Sequence, residues 1–185
     1  DIVIDVGADH GYVASRLGAI ASERQPHRRG PSPLRWVIAD GLKPFSRVDV
    51  AIIAGMGANK IIDILQNGPA VPVAILHATD SPARLRSFLA THNWVITEEN
   101  LVPEGKGYAE VIRADIGIET ARGFELEFGP KLTKTSGPFH LAHYNNLRAR
   151  WAHIAQVTKD SDAERHANAN DRVSYLESLL KAITT

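Results

Sequence analysis

The first eleven residues, Asp1-Ile2-Val3-Ile4-Asp5-Val6-Gly7-Ala8-Asp9-His10-Gly11, constrain the fold more than any other stretch. A short β-branched run ends on an acid, turns through glycine and enters a helix start. That is the strand–turn–helix opening of a nucleotide-binding α/β sheet. Gly7 and Gly11 carry no Cβ, so the backbone there can approach a ligand closely. A loop built to grip a pyrophosphate reads G-x-G-x-x-G. Here Asp5 and Asp9 flank the turn instead. Acids repel phosphates and attract a sulfonium or an ammonium, so this spacing favours S-adenosylmethionine over a dinucleotide. The plain alternative is a structural strand-to-helix turn.

The rest of the chain continues the pattern. Ile2 to Val6 read as a first buried strand, His10 to Leu17 as a helix, and Gly18 to Ser22 as a second strand ending at Glu23. An acid at the tip of a second strand is where such folds hold a ribose, because one carboxylate accepts two hydrogen bonds. Trp36 to Ala39 make the third strand, closed by Asp40-Gly41. Val48 to Ala54 make the fourth, with Gly55-Met56-Gly57 as its turn. Ala58 to Gln66 carry Ile61, Ile62 and Leu65 at helical spacing and stop at Gly68 as C-cap. Val71 to Leu76 form the fifth strand, and Ser81-Pro82 opens a helix whose Leu85, Phe88 and Leu89 face the sheet. Trp94 to Thr97 and Tyr108 to Arg113 follow each other without a helix and are expected to pair antiparallel.

The connection from Arg24 to Leu34 is awkward. A parallel crossover needs a dozen or more residues, usually helical. This one is short and carries Gly30, Pro31 and Pro33. Either the crossover is stripped to a loop or residues are missing between Arg16 and Leu34; the second is expected, and a Cα–Cα step well beyond about 3.8 Å would reveal it. Arg24, Arg28, Arg29 and Arg35, with His27, make this stretch a candidate phosphate patch or a solvated loop.

After Asp115 the pattern changes. Gly123 to Lys134 read as an irregular bridge. Tyr144, Leu147, Trp151 and Ile154, then Val173, Leu176, Leu180 and Ile183, recur at steps of three and four around Asp160-Ser161-Asp162. They predict an antiparallel, coiled-coil-like helical hairpin. The chain thus divides at 115/116, and its 185 residues suit one domain with an appendage.

Composition narrows function mainly by exclusion. Net charge is zero, so nucleic-acid binding rests on local clusters. Cysteine is absent, removing disulfides and thiolate chemistry. No apolar run approaches the roughly 20 residues of a membrane span. No signal peptide opens the chain, which begins inside a strand, and a cytoplasmic location is expected. Eight scattered histidines without cysteine partners indicate no metal site, His140 and His143 included. No G-x-S-x-G elbow supports a hydrolase.

Several segments, taken together and in order, resemble the bacterial TrmK family. They are Asp5 to Tyr12, Ala39-Asp40-Gly41-Leu42, Ile53-Ala54-Gly55-Met56-Gly57, Leu85-Arg86-Ser87-Phe88-Leu89 and Glu104-Gly105-Lys106-Gly107-Tyr108-Ala109-Glu110. Phe128-Gly129-Pro130 and the helical hairpin extend the likeness to the C-terminal part. The resemblance implies a class I methyltransferase sheet that methylates N1 of adenine 22 in tRNA. It implies that Asp5, Gly7, Ala8, Asp9 and Gly11 cradle the methionine part of S-adenosylmethionine. Glu23 would hold the ribose, Asp40, Gly41 and Leu42 would flank the adenine, and Ala54, Gly55 and Met56 would floor the transfer site. The family pattern is broken at Gly11, at Ala58, at His77-Ala78-Thr79 and in the short second crossover.

Transfer of a methyl group to adenine N1 needs no strong base, because N1 already has a lone pair, so positioning supplies most of the catalysis. Asp9 is placed to stabilise the cationic product. The buried N1 edge requires an unstacked base, for which Tyr12 and Met56 are candidate faces, Tyr12 alternatively being core. His10 contacts the base or caps the helix. His77 stands at a strand end, as a ligand contact or a surface histidine. The competing readings are an inactive RNA- or protein-binding relative and a methyltransferase for another RNA base. A monomer or weak homodimer is expected, the hairpin serving tRNA or dimerisation.

Overall fold

The computed structural model describes residues 1–25, 34–105 and 107–184. Seven strands form one sheet: β1 (Val3–Val6), β2 (Ile20–Glu23), β3 (Trp36–Ile38), β4 (Val50–Met56), β5 (Val73–Ala78), β6 (Trp94–Glu104) and β7 (Gly107–Ile116). Their spatial order is β3-β2-β1-β4-β5-β7-β6. β3, β2, β1, β4 and β5 are parallel, while β7 and β6 close the sheet as an antiparallel hairpin. This is the α/β methyltransferase arrangement of five parallel strands plus a hairpin. The expected gap between Arg16 and Leu34 falls on a stretch of which 26–33 lie outside the described residues, as do His27, Arg28 and Arg29.

The core follows from burial on both faces of the parallel strands, which is why those strands read as near-continuous apolar runs. Ile4, Ile53, Leu76 and Ile112 share one buried cluster with α2 (Ala58–Asn67) and α3 (Pro82–Thr91), whose Ile61, Leu85 and Leu89 are fully buried. Phe88 packs against this core only in part.

Five local expectations need correction. β4 does not end at Ala54: it runs on through Gly55 and Met56, its register to β5 slipping between Ala54 and Met56. Gly68 caps α2 in an extended conformation rather than as a left-handed glycine. The hairpin strands are more than twice the expected length for β6 and four residues longer for β7. The bridge after Asp115 is structured, with α4 (Gly123–Phe128) and a 3-10 turn at Leu132–Lys134. The first helix, α1 (Tyr12–Leu17), also starts two residues later than expected and is capped by Gly11, with no side-chain cap from His10.

The C-terminal part is the predicted helical hairpin: α5 (Pro138–Thr158) against α6 (Ala163–Thr184). Tyr144, Leu176 and Leu179 form its buried seam, with Leu147, Trp151, Leu180 and Ile183 partly buried around it. Asp162 begins α6 by accepting the Arg165 amide at 2.9 Å, which satisfies one of the helix's open donors. The seam also takes in Phe128 from α4 and Leu101 from β6. The hairpin is therefore packed onto the sheet rather than tethered to it.

A buried polar network fastens the two parts. Arg86, 1% exposed on α3, donates to Glu99 at 2.6 Å, to Glu110 at 2.5 Å and to the Glu127 carbonyl at 3.0 Å. Glu99 also accepts the Lys131 amide at 2.8 Å. His143 Nε2 on α5 approaches Glu110 at 3.3 Å without an aligned hydrogen bond. The Tyr144 hydroxyl donates to the Phe128 carbonyl at 3.2 Å, and burial pushes that phenol well above its ordinary pKa. Burial alone would raise the Glu110 carboxyl, but the neighbouring Arg86 and His143 overcome it and hold the group at about 2. A carboxyl depressed on folding stabilises the fold above its ordinary value of 4.5 and loses that contribution as pH falls toward 2. Thermal melts are therefore expected to show a midpoint that declines through this window. Glu110→Gln should flatten the decline while lowering the neutral-pH midpoint, and an unaltered acid limb in that variant would refute the assignment.

Candidate active site

Strand order reverses between β1 and β4, and in open α/β sheets the crevice at the carboxyl ends of such strands is where ligands bind. Here that crevice is lined by the loop after Val6, the tips of β2 and β3, and the end of β4. Its loop follows a left-handed path, with positive φ at Gly7, Asp9 and Gly11. A Cβ at Gly11 would stand 2.4 Å from Leu34 and 2.9 Å from Trp36, so glycine is required there by packing as well as by φ. The Gly7 and Ala8 amides both donate to the Ser22 carbonyl, at 2.8 and 3.2 Å. They are spent inside the protein and are not presented as a phosphate nest.

The acids take different parts. Asp5 is buried, and its carboxylate accepts the Ala14 amide at 3.0 Å, tying α1 to β1. Burial pushes its pKa up, the hydrogen bond opposing this. Glu23 accepts the Asp9 amide at 3.2 Å and the Arg24 amide at 2.8 Å, so its carboxylate stands directly against the first loop. Asp40 at the tip of β3 is partly exposed and faces three cations: Lys43 at 3.1 Å, Lys60 at 3.7 Å and Arg24 at 3.7 Å. The hydrogen bond from Lys43, then the charges of Lys43 and Lys60, hold its pKa below the usual range. The Ser22 hydroxyl donates to the Gly41 carbonyl at 3.2 Å, which fixes the β3 tip beside β2. Leu42 is fully buried in the core, so only its backbone is available to a ligand.

On the β4 side, Met56 lies across Gly7, where an added Cβ would meet its terminal methyl at 2.1 Å. Methionine is flexible enough to swing aside. Gly55 faces open space, with nothing within 4 Å of the position of an added Cβ. The α2 start is capped by Asp80, whose carboxylate accepts the Ala58 amide at 2.7 Å. His77 is half-buried near the end of β5, opposite Ala54. Asp9 and His10 are both exposed and 3.7 Å apart. Tyr12 is 70% exposed and lies tilted against His10 with ring centroids 5.8 Å apart, so it is surface rather than core.

The structure thus brings Gly7, Ala8, Asp9, Gly11 and Glu23 into one crevice with Gly41, Ala54, Gly55 and Met56. His10 and Tyr12 stand on its outer lip. Sequence reasoning missed Asp80, although Asp80-Ser81-Pro82 is a recognisable helix-entry signal. It also missed the lysines on Asp40, which come from two separate elements. An adenosyl sulfonium fits this donor set: there is an acid beside the loop for a ribose, no offered phosphate nest, and an open glycine floor. Two grooves, of about 590 and 690 Å³, lie on α5 and α6 and carry no part of this chemistry.

Comparison with known proteins gives the same direction. A Mycoplasma pneumoniae protein with a provisional assignment as a tRNA methyltransferase is 30% identical over 172 aligned residues, covering 77% of this chain and 78% of its own. A Streptococcus agalactiae structure of the NADB-Rossmann superfamily superposes with a TM-score of 0.83 at 24% identity, over 97% of this chain and 90% of that one. M. capricolum TrmK, solved with S-adenosylhomocysteine, gives a TM-score of 0.81 at 18% identity, over 98% and 92%. Both superpositions establish the shared fold. The model of TrmK, the tRNA (adenine(22)-N(1))-methyltransferase family, matches residues 34–179, and the chain belongs to that family.

Proposed function

We propose that this protein transfers the methyl group of S-adenosylmethionine to N1 of adenine 22 in tRNA. The observation that carries the reading is the placement of Glu23 against a first loop whose amides are already used internally, at the switch point of a family-typical sheet. Residues 1–115 serve as the methyl-donor domain, and residues 116–185 as the part that grips tRNA.

When bound, S-adenosylmethionine supplies a methyl group already activated on a sulfonium. The chain's own residues position and shield. The backbone from Asp5 to Gly11 cradles the methionine end, Glu23 accepts hydrogen bonds from the ribose hydroxyls, and Asp40, Gly41 and Leu42 border the adenine. Ala54, Gly55 and Met56 form the floor on which donor and target base meet. Tyr12 offers its exposed ring to an unstacked base, with His10 beside it. The Asp9 carboxylate stabilises the positive charge that the methylated base acquires.

The test is incubation of the protein with unmodified tRNA and methyl-labelled S-adenosylmethionine, followed by mapping of the label. Label on N1 of adenine 22 is expected. Label on another base would reassign the substrate, in keeping with the His77-Ala78-Thr79 departure. Absence of label, at concentrations where calorimetry detects donor binding, would leave an inactive RNA-binding relative. No helix among the described residues is long and apolar enough to cross a membrane. We place the protein in the cytoplasm as a monomer or weak homodimer, which a solution mass measurement checks.

A further inference from the structure

We propose that the cleft between the start of α3 and the middle of α5 is a second nucleobase site, taking a base that flanks the target adenine in the RNA. The proposal rests on the tRNA-methyltransferase reading for its ligand. The cleft holds about 200 Å³ and is lined by Ser81, Arg86, Glu110, Leu147, Arg150 and Trp151, among others. That is below the usual size of a pocket for a whole cofactor and suits a single flat ring.

Its position fits. Ala78 pairs with Met56 on the floor of the active site, and Ser81 follows only three residues later. The Ser81 Cα therefore lies within roughly 10 Å of Ala78. Enzymes that act on an unstacked base also hold its flanking nucleotides.

Its chemistry fits as well. Trp151 supplies an aromatic wall that is already immobilised: the Arg172 guanidinium lies 4.7 Å from the ring centroid. Arg172 is itself locked by two bonds to Glu127, at 2.7 and 2.9 Å. A ring held in this way stacks on a base with little further loss of freedom, and stacking tolerates any base identity. The floor carboxylate of Glu110 is engaged by Arg86 at 2.5 Å, a guanidinium it shares with Glu99. Arg150 at the mouth is exposed and, among the described residues, has no acidic partner, and Ser81 across from it has an unengaged hydroxyl. The 21 residues of α5 contain arginines and histidines but no Asp or Glu. Its Arg148 is paired with Glu177 of α6 at 3.6 Å, so Arg150 is the cation at this end of the cleft available to a phosphate.

Arg150→Ala, Trp151→Leu and Trp151→Phe test the site, with tRNA KM, kcat, donor affinity and melting temperature measured for each. Arg150→Ala and Trp151→Leu are expected to raise the tRNA KM about tenfold with donor affinity unchanged, while Trp151→Phe stays close to the parent. Arg150→Ala should also make the log–log salt dependence of tRNA binding shallower by roughly 0.7 to 0.9. Tryptophan fluorescence adds a readout independent of methyl transfer. Bound tRNA should quench the parent, and Trp151→Phe should remove most of that quenching. Quenching that Trp151→Phe abolishes, in a parent that transfers no methyl, upholds the cleft and removes the enzymatic reading. Unchanged KM and salt slope in Arg150→Ala, with tRNA quenching retained in Trp151→Phe, overturn the cleft while leaving the enzyme intact. If Trp151→Leu loses KM only together with melting temperature, its role is structural, and the Arg150→Ala salt slope decides.

Discussion

Arg86→Met is expected to cost about 3–5 kcal/mol of folding stability, lowering the melting temperature by on the order of 10 °C. Arg86 is the single cation between Glu99 and Glu110, and it also holds the Glu127 carbonyl. Removing it leaves two buried carboxylates facing one another without compensation. That is far costlier than losing an exposed pair such as Arg148 with Glu177. Arg86→Lys should fall between the two, because one ammonium cannot reproduce a planar fork that serves three acceptors. Pairing Arg86→Met with Glu110→Leu should recover part of the loss, since an apolar substitute for a whole buried pair is often tolerated. A melting temperature for Arg86→Met within a degree or two of the parent would show that the network is not what fastens α4 to the sheet.

This network also marks where the sequence stops being readable. The alternation of apolar strands with helices is a local signal, and it located all five parallel strands to within a few residues, while the apolar seam disclosed the existence of both long helices. The β6 extension was hidden because Glu98, Glu99 and Asn100 look like loop residues. Glu99 is nonetheless buried, because Arg86, thirteen positions back, and Lys131, thirty-two positions ahead, come to meet it. Arg86 and Glu110 each stand in a segment that resembles the family, yet nothing local pairs them. Helix α4 was hidden for a related reason: Phe124, Leu126 and Phe128 alternate with Glu125 and Glu127, a period that reads as extended. The helix is held by packing of Phe124 and Phe128 on Tyr175 and by Glu127 binding Arg172. In the candidate site, the glycine loop and Glu23 were legible because their spacing is short-range. The exposure of Tyr12 was not, since an aromatic at a helix start points inward or outward according to what packs on it.

Gly55→Ala is expected to lower kcat at least about 100-fold while leaving the protein folded. Gly55 sits in the irregular step of β4 at φ +74°, and an added Cβ there would touch no atom of the protein. Its cost to the fold is then only left-handed strain, on the order of 1–2 kcal/mol, or a few degrees of melting temperature. What the methyl would occupy is the open floor at the end of β4, where the donor and target base are proposed to meet. Displacement of a reacting centre by about 1 Å suffices for a hundredfold loss. Gly18→Ala is the matched control. It has φ +66°, also with nothing within 4 Å of an added Cβ, but it lies between α1 and the amino end of β2, on the opposite edge of the sheet. The two variants should melt alike, and Gly18→Ala should retain parental kcat. Equal losses of activity would mean that strain alone is responsible. Parental activity in Gly55→Ala would move the transfer site away from the end of β4, and the roles given to Ala54 and Met56 would go with it.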